Sequence, residues 1–403
     1  MNLIRLLGVV TAIVLASSAE VHAQTQPLPA ATANVPSSDT TYIAPDGTAY
    51  ITRVIPVPKT VSPEAQKWIA RQISESDVPS TLADDRRASD QHRERLGKLA
   101  LAKYLAQVAA GSIAGVPVTI VTPVKGVSPA NPFVLISVHG GASEFDCCSL
   151  VESIPIASLM HVEVIAVRYR LAPEYPFPAG VDDVIAVYRE VLKHHEPCEI
   201  AIYGTSAGAV MTAQVAVKLK MLGLPQPAAL GIFFGFGDYT RLGDSMSFFT
   251  VLGLGGKLSP DPGLIFARRR SLTGATQLGN PLLSPQLGDL SGLPPTLLLT
   301  STRDFFLSST SLLDRAVLCA GDDPELVVFE GLSHARNWCG DFIDWYNDEY
   351  QHSGLNGHIP ADVFYGRAQA VTAVKQRALD DAYHRHPERF VNSPPKAKAP
   401  PAI

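Results

Sequence analysis

Cysteine is scarce: Cys147, Cys148, Cys198, Cys319 and Cys339 are the only five in 403 residues. The number is odd and no Cys-x-x-Cys pair occurs, so neither a structural zinc site nor a disulfide framework is signalled. One bridge is compatible with an oxidising compartment, and spacing alone does not say which. Excess charge is lacking too. A net charge of −5 gives no global attraction for a nucleic acid, and none is expected as a partner. After the first twenty or so residues no apolar run reaches membrane-spanning length, which excludes a stable span in the mature chain. His352, His358, His384 and His386 are spaced too irregularly for a metal motif. No metal and no organic cofactor is expected.

What is present suits a large folded unit, since 46% of the residues are hydrophobic. The first segment, "MNLIRLLGVVTAIVLASSAEVHAQ", has Arg5, an apolar run from Leu6 to Ala16, and small residues at Val21 and Ala23. It reads as a signal peptide over 1–23, giving a periplasmic or secreted protein. Residues 24–61, rich in Ala, Pro, Thr and Ser, read as a flexible leader. Residues 62–110 read as helical, with Ser62 as a cap and Pro63 in the first helical position. They precede the first expected strand, so they are placed as a lid over a site.

From residue 111 to 334 short apolar runs alternate with amphipathic stretches. "FVLISVHGG", "VEVIAVRYR", "CEIAIYGTSAG", "AALGIFFGF" and "TLLLTSTRD" have the length and composition of buried parallel strands. The alternation predicts an α/β fold, a mostly parallel sheet with helices on both faces. The last stretch, "NSPPKAKAPPAI", reads as disordered.

"IYGTSAGAV" carries Gly-x-Ser-x-Gly around Ser206, between an apolar strand and a helix. Glycines at 204 and 208 let the backbone double back, and the turn lifts the serine hydroxyl into the open. A hydroxyl is a poor nucleophile at neutral pH and needs a base, which needs an orienting acid. In hydrolases with this turn the order along the chain is serine, acid, histidine. The best downstream acid is Asp304, at the end of "TLLLTSTRD". The best histidine is His334, after "LVVFEG". Upstream, "SVHGGAS" follows another strand, and its glycine pair, Gly140 and Gly141, offers backbone N–H groups to an oxyanion.

These motifs together resemble the hormone-sensitive-lipase-like group of α/β-hydrolases, mostly carboxylesterases. "VHGGA", "VRYRLAPEYPFPAGVDDV", "GTSAG", "LPPTLLLTSTRD" and "FEGLSHA" carry the resemblance over about 112–334. It implies a Ser206–His334–Asp304 triad and an oxyanion hole from the N–H groups of Gly141, Ala142 and Ala207, with Gly140 in the same loop. It also implies a lid from the N-terminal helices. This chain departs from the family at Ala142, where a third glycine is usual. If that position takes positive φ, alanine costs on the order of 1 kcal/mol. "LAPEYPFPAGVDD" reads as scaffold, with Asp182 or Asp183 capping the next helix.

Past His334 the chain changes character. "FIDWYNDEYQHSG" and "IPADVFYGRA" resemble the C-terminal end of an insertion-sequence transposase with an integrase-type core, so 335–403 reads as a foreign tail replacing the final helix. A divergent final helix is the other possibility, because Trp338, Phe342 and Trp345 share one helical face.

The function these features imply is an exported serine carboxylesterase. It would act on short- to medium-chain esters through an acyl-enzyme, with a small-molecule ester as partner and a homodimer as an open possibility. The alternatives are an inactive fusion product and a DNA-binding transposition protein. The balanced charge of the tail, eight acidic and eight basic residues from 335 to 403, speaks against the last.

Overall fold

The computed structural model describes residues 40–52, 66, 81–124, 132–249, 270–333, 368–387 and 394–399. The expected signal peptide, the first part of the leader, His334, Cys339 and the tryptophan-rich stretch of the tail lie outside them. Among the described residues no helix is long and apolar enough to cross a membrane.

Strands β1 (Thr40–Ile43) and β2 (Ala49–Thr52) form a hairpin inside the segment expected to be a flexible leader. The overall Ala/Pro/Thr/Ser composition hid a local signal, "TTYIAPDGTAYIT", in which Tyr and β-branched residues flank Pro-Asp-Gly. Gly47 takes φ +86° and Asp46 Oδ1 accepts the Thr48 N–H at 2.9 Å, which closes the turn.

Helix α1 (Leu82–Lys103) occupies part of the expected helical segment. Thr81 caps it in a reciprocal box with Asp84, and Asp84 and Asp85 lie at the positive end of its dipole. Helix does not extend to residue 110. Strand β3 (Ala106–Ile113) begins before that point and pairs antiparallel with β4 (Val116–Pro123) across Ala114 and Gly115.

The core follows as strand–helix alternation: β5 (Val134–Val138), α2 (Ser149–Met160), β6 (Glu163–Val167), α3 (Ala179–Val191), β7 (Ile200–Thr205), α4 (Ala207–Met221), β8 (Ala229–Phe233), α5 (Ser245–Phe249), β9 (Thr296–Arg303), α6 (Leu307–Cys319) and β10 (Glu325–Ser333). The eight-stranded sheet runs β10-β9-β8-β7-β5-β6-β4-β3. Strands β6, β5, β7, β8, β9 and β10 pair in parallel, and β4 and β3 add an antiparallel edge.

Side-chain alternation divides the core between the two faces. Val134, Ile136 and Val138 of β5, with Ile200, Ile202 and Leu298, pack against α3, α4 and α6. Leu135, Ala201, Tyr203, Leu297 and Leu299 point the other way, against α1 and α2. Both faces are covered, so the central strands read as continuous apolar runs. Helix α4 is apolar nearly all round and almost wholly buried. Truncating a fully buried residue such as Leu298 would cost about 2–5 kcal/mol.

Helix α7 (Ala368–Arg385) lies in the tail. Residues 394–399, expected to be disordered, are tied to it: Gln376 Nε2 donates to Pro395 O at 3.0 Å, and the Ala397 N–H donates to Gln376 Oε1 at 2.8 Å. One amide side chain satisfies two backbone groups, which composition could not reveal.

Candidate active site

The chain leaves the C-terminal end of β7 and turns at once into α4. Ser206 occupies that turn with φ +56° and ψ −118°, a region non-glycine residues rarely enter. The flanking glycines make the turn possible. A Cβ at Gly204 would stand 2.3 Å from Gly208 O, and one at Gly208 would stand 1.9 Å from Val138 O. The Ser206 N–H donates to Phe233 O at 2.9 Å, which pins the turn to β8. Ala207 is the first residue of α4, so its N–H has no acceptor within the helix.

The loop after β5 comes against this turn. A Cβ at Gly140 would lie 2.7 Å from Thr205 O and 3.3 Å from Ser206 Cβ, so only glycine lets the two backbones approach this closely. Gly141 takes φ +111°, and a Cβ there would meet Phe145 O at 1.9 Å. Ala142 and Ser143 follow with φ +55° and +59°. The position where the family usually has glycine therefore does take left-handed backbone, and here alanine holds it. Gly141 O accepts the N–H groups of Glu144 at 2.9 Å and Phe145 at 3.2 Å. The start of the loop rests on His139. Its ring stacks on Tyr169 at 4.2 Å between centroids, its Nδ1 is 2.8 Å from Gly140 O, and its own carbonyl accepts the Tyr169 O–H at 2.8 Å.

Asp304 follows the C-terminal end of β9 and is fully buried. Thr300 Oγ1 donates to its Oδ2 at 2.8 Å, and the Phe306 N–H donates to its Oδ1 at 3.1 Å. Strand β10 runs parallel to β9 and ends at Ser333. His334 itself is outside the described residues. The structure thus brings Gly140, Gly141, Ala142, Ser206 and Ala207 to one end of the sheet. It puts Asp304 at the same end of β9, a parallel strand two places along the sheet from β7.

Beside Ala207 lies a cavity of about 20 Å³, room for roughly one water. Met211, Gln214, Phe177, Tyr239 and Leu272 line it, and no residue of α1 does. Among the described residues no group of three or more His, Cys, Asp or Glu side chains converges as a metal site would.

Several supporting residues were not expected from the sequence. Asp146 accepts the N–H groups of Cys148 at 3.2 Å and Ser149 at 3.0 Å, and the Ser149 O–H at 2.5 Å. Burial alone would raise its pKa, but His139, the Ser149 hydroxyl and Arg93 together outweigh burial and hold the carboxyl below its usual range. Glu152 of α2 lies near Thr205 and Cys148. Burial pushes its carboxyl up to about 7. Asp182 and Asp183 do not cap α3, because the helix already begins at Ala179. Asp183 instead accepts the Arg170 N–H at 2.8 Å and its guanidinium at 2.8–3.0 Å, while Asp182 pairs with Lys218. Cys147, Cys148, Cys198 and Cys319 are free thiols.

Comparison with known proteins agrees with this architecture. A family model described as alpha/beta hydrolase fold matches residues 135–337, just over half of the chain. An acetyl-hydrolase of Streptomyces hygroscopicus is 32% identical over 176 residues, 43% of this chain and 58% of that protein. An esterase of Acinetobacter venetianus is 30% identical over 179 residues, 44% of this chain and 58% of that one. The chain thus spans less than two thirds of the length of these curated relatives. A solved esterase structure is 32% identical, with a TM-score of 0.62, over 70% of this chain and 89% of the other. A crystallised esterase of the bacterial hormone-sensitive lipase family is 26% identical with a TM-score of 0.59, over 70% of this chain and 97% of the other. With the sheet order, the serine turn and these matches in hand, the chain belongs to the α/β-hydrolase fold family, of the hormone-sensitive-lipase-like kind.

Proposed function

We propose that the protein is a serine carboxylesterase. The observation that carries this is Ser206, held at φ +56° on a turn whose two glycines admit no side chain. Ser206 attacks the ester carbonyl while His334 accepts its proton, and Asp304 orients the imidazole and stabilises its charge. The developing oxyanion is held by N–H groups of Gly141, Ala142 and Ala207, in the loop that Gly140 sets against the serine. His334 returns the proton to the leaving alcohol, then draws one from the water that attacks the acyl-enzyme and gives it to Ser206 Oγ as the acid leaves. Each step balances without a metal or an organic cofactor.

The acyl group enters beside Ala207. The cavity there has room for roughly one water, which supports the short end of a short- to medium-chain acyl range. The similarity to an acetyl-hydrolase supports the short end of that range. We place the mature protein outside the cytoplasm on its N-terminal charged, apolar and small-residue pattern. We assign the segment from 335 on a different origin on its transposase-like residues, "FIDWYNDEYQHSG" and "IPADVFYGRA".

The test is hydrolysis of p-nitrophenyl butyrate by the purified protein beside Ser206→Ala. Turnover lost in the variant supports the assignment. Equal turnover in both, or none in a cooperatively melting wild type, overturns it.

A further inference from the structure

Two adjacent residues at left-handed φ, neither of them glycine, need support from outside their own loop. Ala142 and Ser143 are such a pair, and they sit where the oxyanion donors are. Strained backbone of this kind persists only where its surroundings over-determine it. Within the loop the ties are short-range: Gly141 O takes the N–H groups of Glu144 and Phe145. Outside the loop, Ala172 reaches Ser143, and the side-chain ties come from α1, a helix that does not line the cavity beside Ala207.

Arg86, in the second turn of α1, makes the most extensive of them. Its Nε donates to Glu144 O at 2.7 Å, and its Nη2 donates to Ala172 O at 2.8 Å. The same guanidinium grips Glu174 through both carboxylate oxygens, at 2.8 and 2.7 Å. The Ala172 N–H in turn donates to Ser143 O at 2.9 Å. A closed ring results: oxyanion loop, Ala172–Glu174 loop, Arg86, and back to Glu144. Further along the same helical face, Ser89 Oγ donates to Asp146 O at 3.0 Å, and Arg93 lies 3.5 Å from the Asp146 carboxylate. The ion pair with Glu174 is itself half-exposed and contributes little. The two backbone carbonyls matter more, because a planar fork reaches both loops at once and an ammonium does not.

We propose that Arg86 is a positioning residue of the oxyanion loop. It touches no reacting atom. It holds residues 143–144 and 172–174 in the one arrangement in which the strained Ala142–Ser143 backbone keeps the oxyanion donors in place. Helix α1, in the segment read from sequence as a lid, thus acts as a brace behind the catalytic loop. The kinetic consequence rests on the esterase assignment; the structural one does not.

The test compares wild type, Arg86→Lys and Arg86→Ala by steady-state kinetics on p-nitrophenyl acetate and by hydrogen–deuterium exchange. For both variants kcat should fall roughly ten- to a hundredfold, as for loss of catalytic alignment, with KM within about twofold. Guanidinium ion added to Arg86→Ala should restore part of kcat and leave the wild type unaffected. Exchange should quicken in 141–146 and 172–175 while the central strands stay unchanged. Unaltered exchange in those two segments overturns the brace, whatever the activity. So does a loss of kcat that guanidinium cannot relieve and that tracks a lower melting temperature. A wild type with no turnover overturns the esterase assignment instead, and exchange still decides the brace.

Discussion

Ser333, the last residue of β10, pairs with Arg303 of β9, the residue immediately before Asp304. The strand that leads to His334 therefore ends beside the strand that delivers the buried acid. The register shifts between Phe329 and Ser333, so an irregularity in β10 sets which residue reaches the strand end. We expect His334→Ala and Asp304→Asn each to lower kcat by roughly 10³–10⁴-fold with little change in KM. Steady-state rates on p-nitrophenyl butyrate, with circular dichroism to show an intact fold, decide it. Full activity in His334→Ala would assign the base to another histidine.

Ala142 stands at φ +55° where glycine would be at ease. Relief of that strain is worth on the order of 1 kcal/mol, about fivefold in rate if all of it falls on the competent loop conformation. Ala142→Gly should therefore raise kcat a few-fold and leave KM alone, while Ala142→Val, with a branched Cβ, should lower it. A glycine variant no faster than wild type would mean that the neighbouring contacts already hold the loop fully formed.

The serine turn was legible in the sequence because all its determinants lie within five residues, and Asp304 because it ends a long apolar strand. Strand β3 was not legible. "AQVAAGSI" is an edge strand exposed along most of its length, held by its ladder to β4 and not by a buried face. Arg86 was hidden for another reason. Its partners lie 58 to 88 residues away, and a charged residue on an early helix turn otherwise looks like a solvated one. Asp183 was misread because a helix-start acid suggests a cap, whereas Arg170 on the preceding loop claims the carboxylate.

Met211 lies one turn past Ala207 on α4 and narrows the cavity beside it. A Cβ at Gly180 would already meet Met211 Cε at 2.8 Å, so the thioether has little room on that side. Met211→Ala should open the cavity and move the preferred p-nitrophenyl ester from acetate or butyrate toward hexanoate or octanoate. One methylene in an apolar pocket is worth about 1–3 kcal/mol of discrimination, so the ratio of kcat/KM between chain lengths should shift at least tenfold. A uniform loss across all chain lengths would show that the acyl chain lies elsewhere.

Glu152 is fully buried behind β7, and one carboxylate oxygen lacks a hydrogen-bond partner. Burial raises its pKa from 4.5 to about 7. The group therefore stays neutral in the folded protein over a range in which the unfolded chain has already released its proton. Its favourable contribution is complete below about pH 4.5 and fades as pH rises through about 7. The total change is on the order of 3 kcal/mol. Glu152→Gln keeps the shape and the neutral charge, so its stability should not show that decline. Urea unfolding at pH 5, 6, 7 and 8 measures the difference directly. The two proteins should be similar near pH 5, with the variant pulling ahead by pH 8. Parallel stability curves over that range would mean that the folded protein ionises Glu152 as readily as water does, and that this carboxylate has a partner or a water channel open to it.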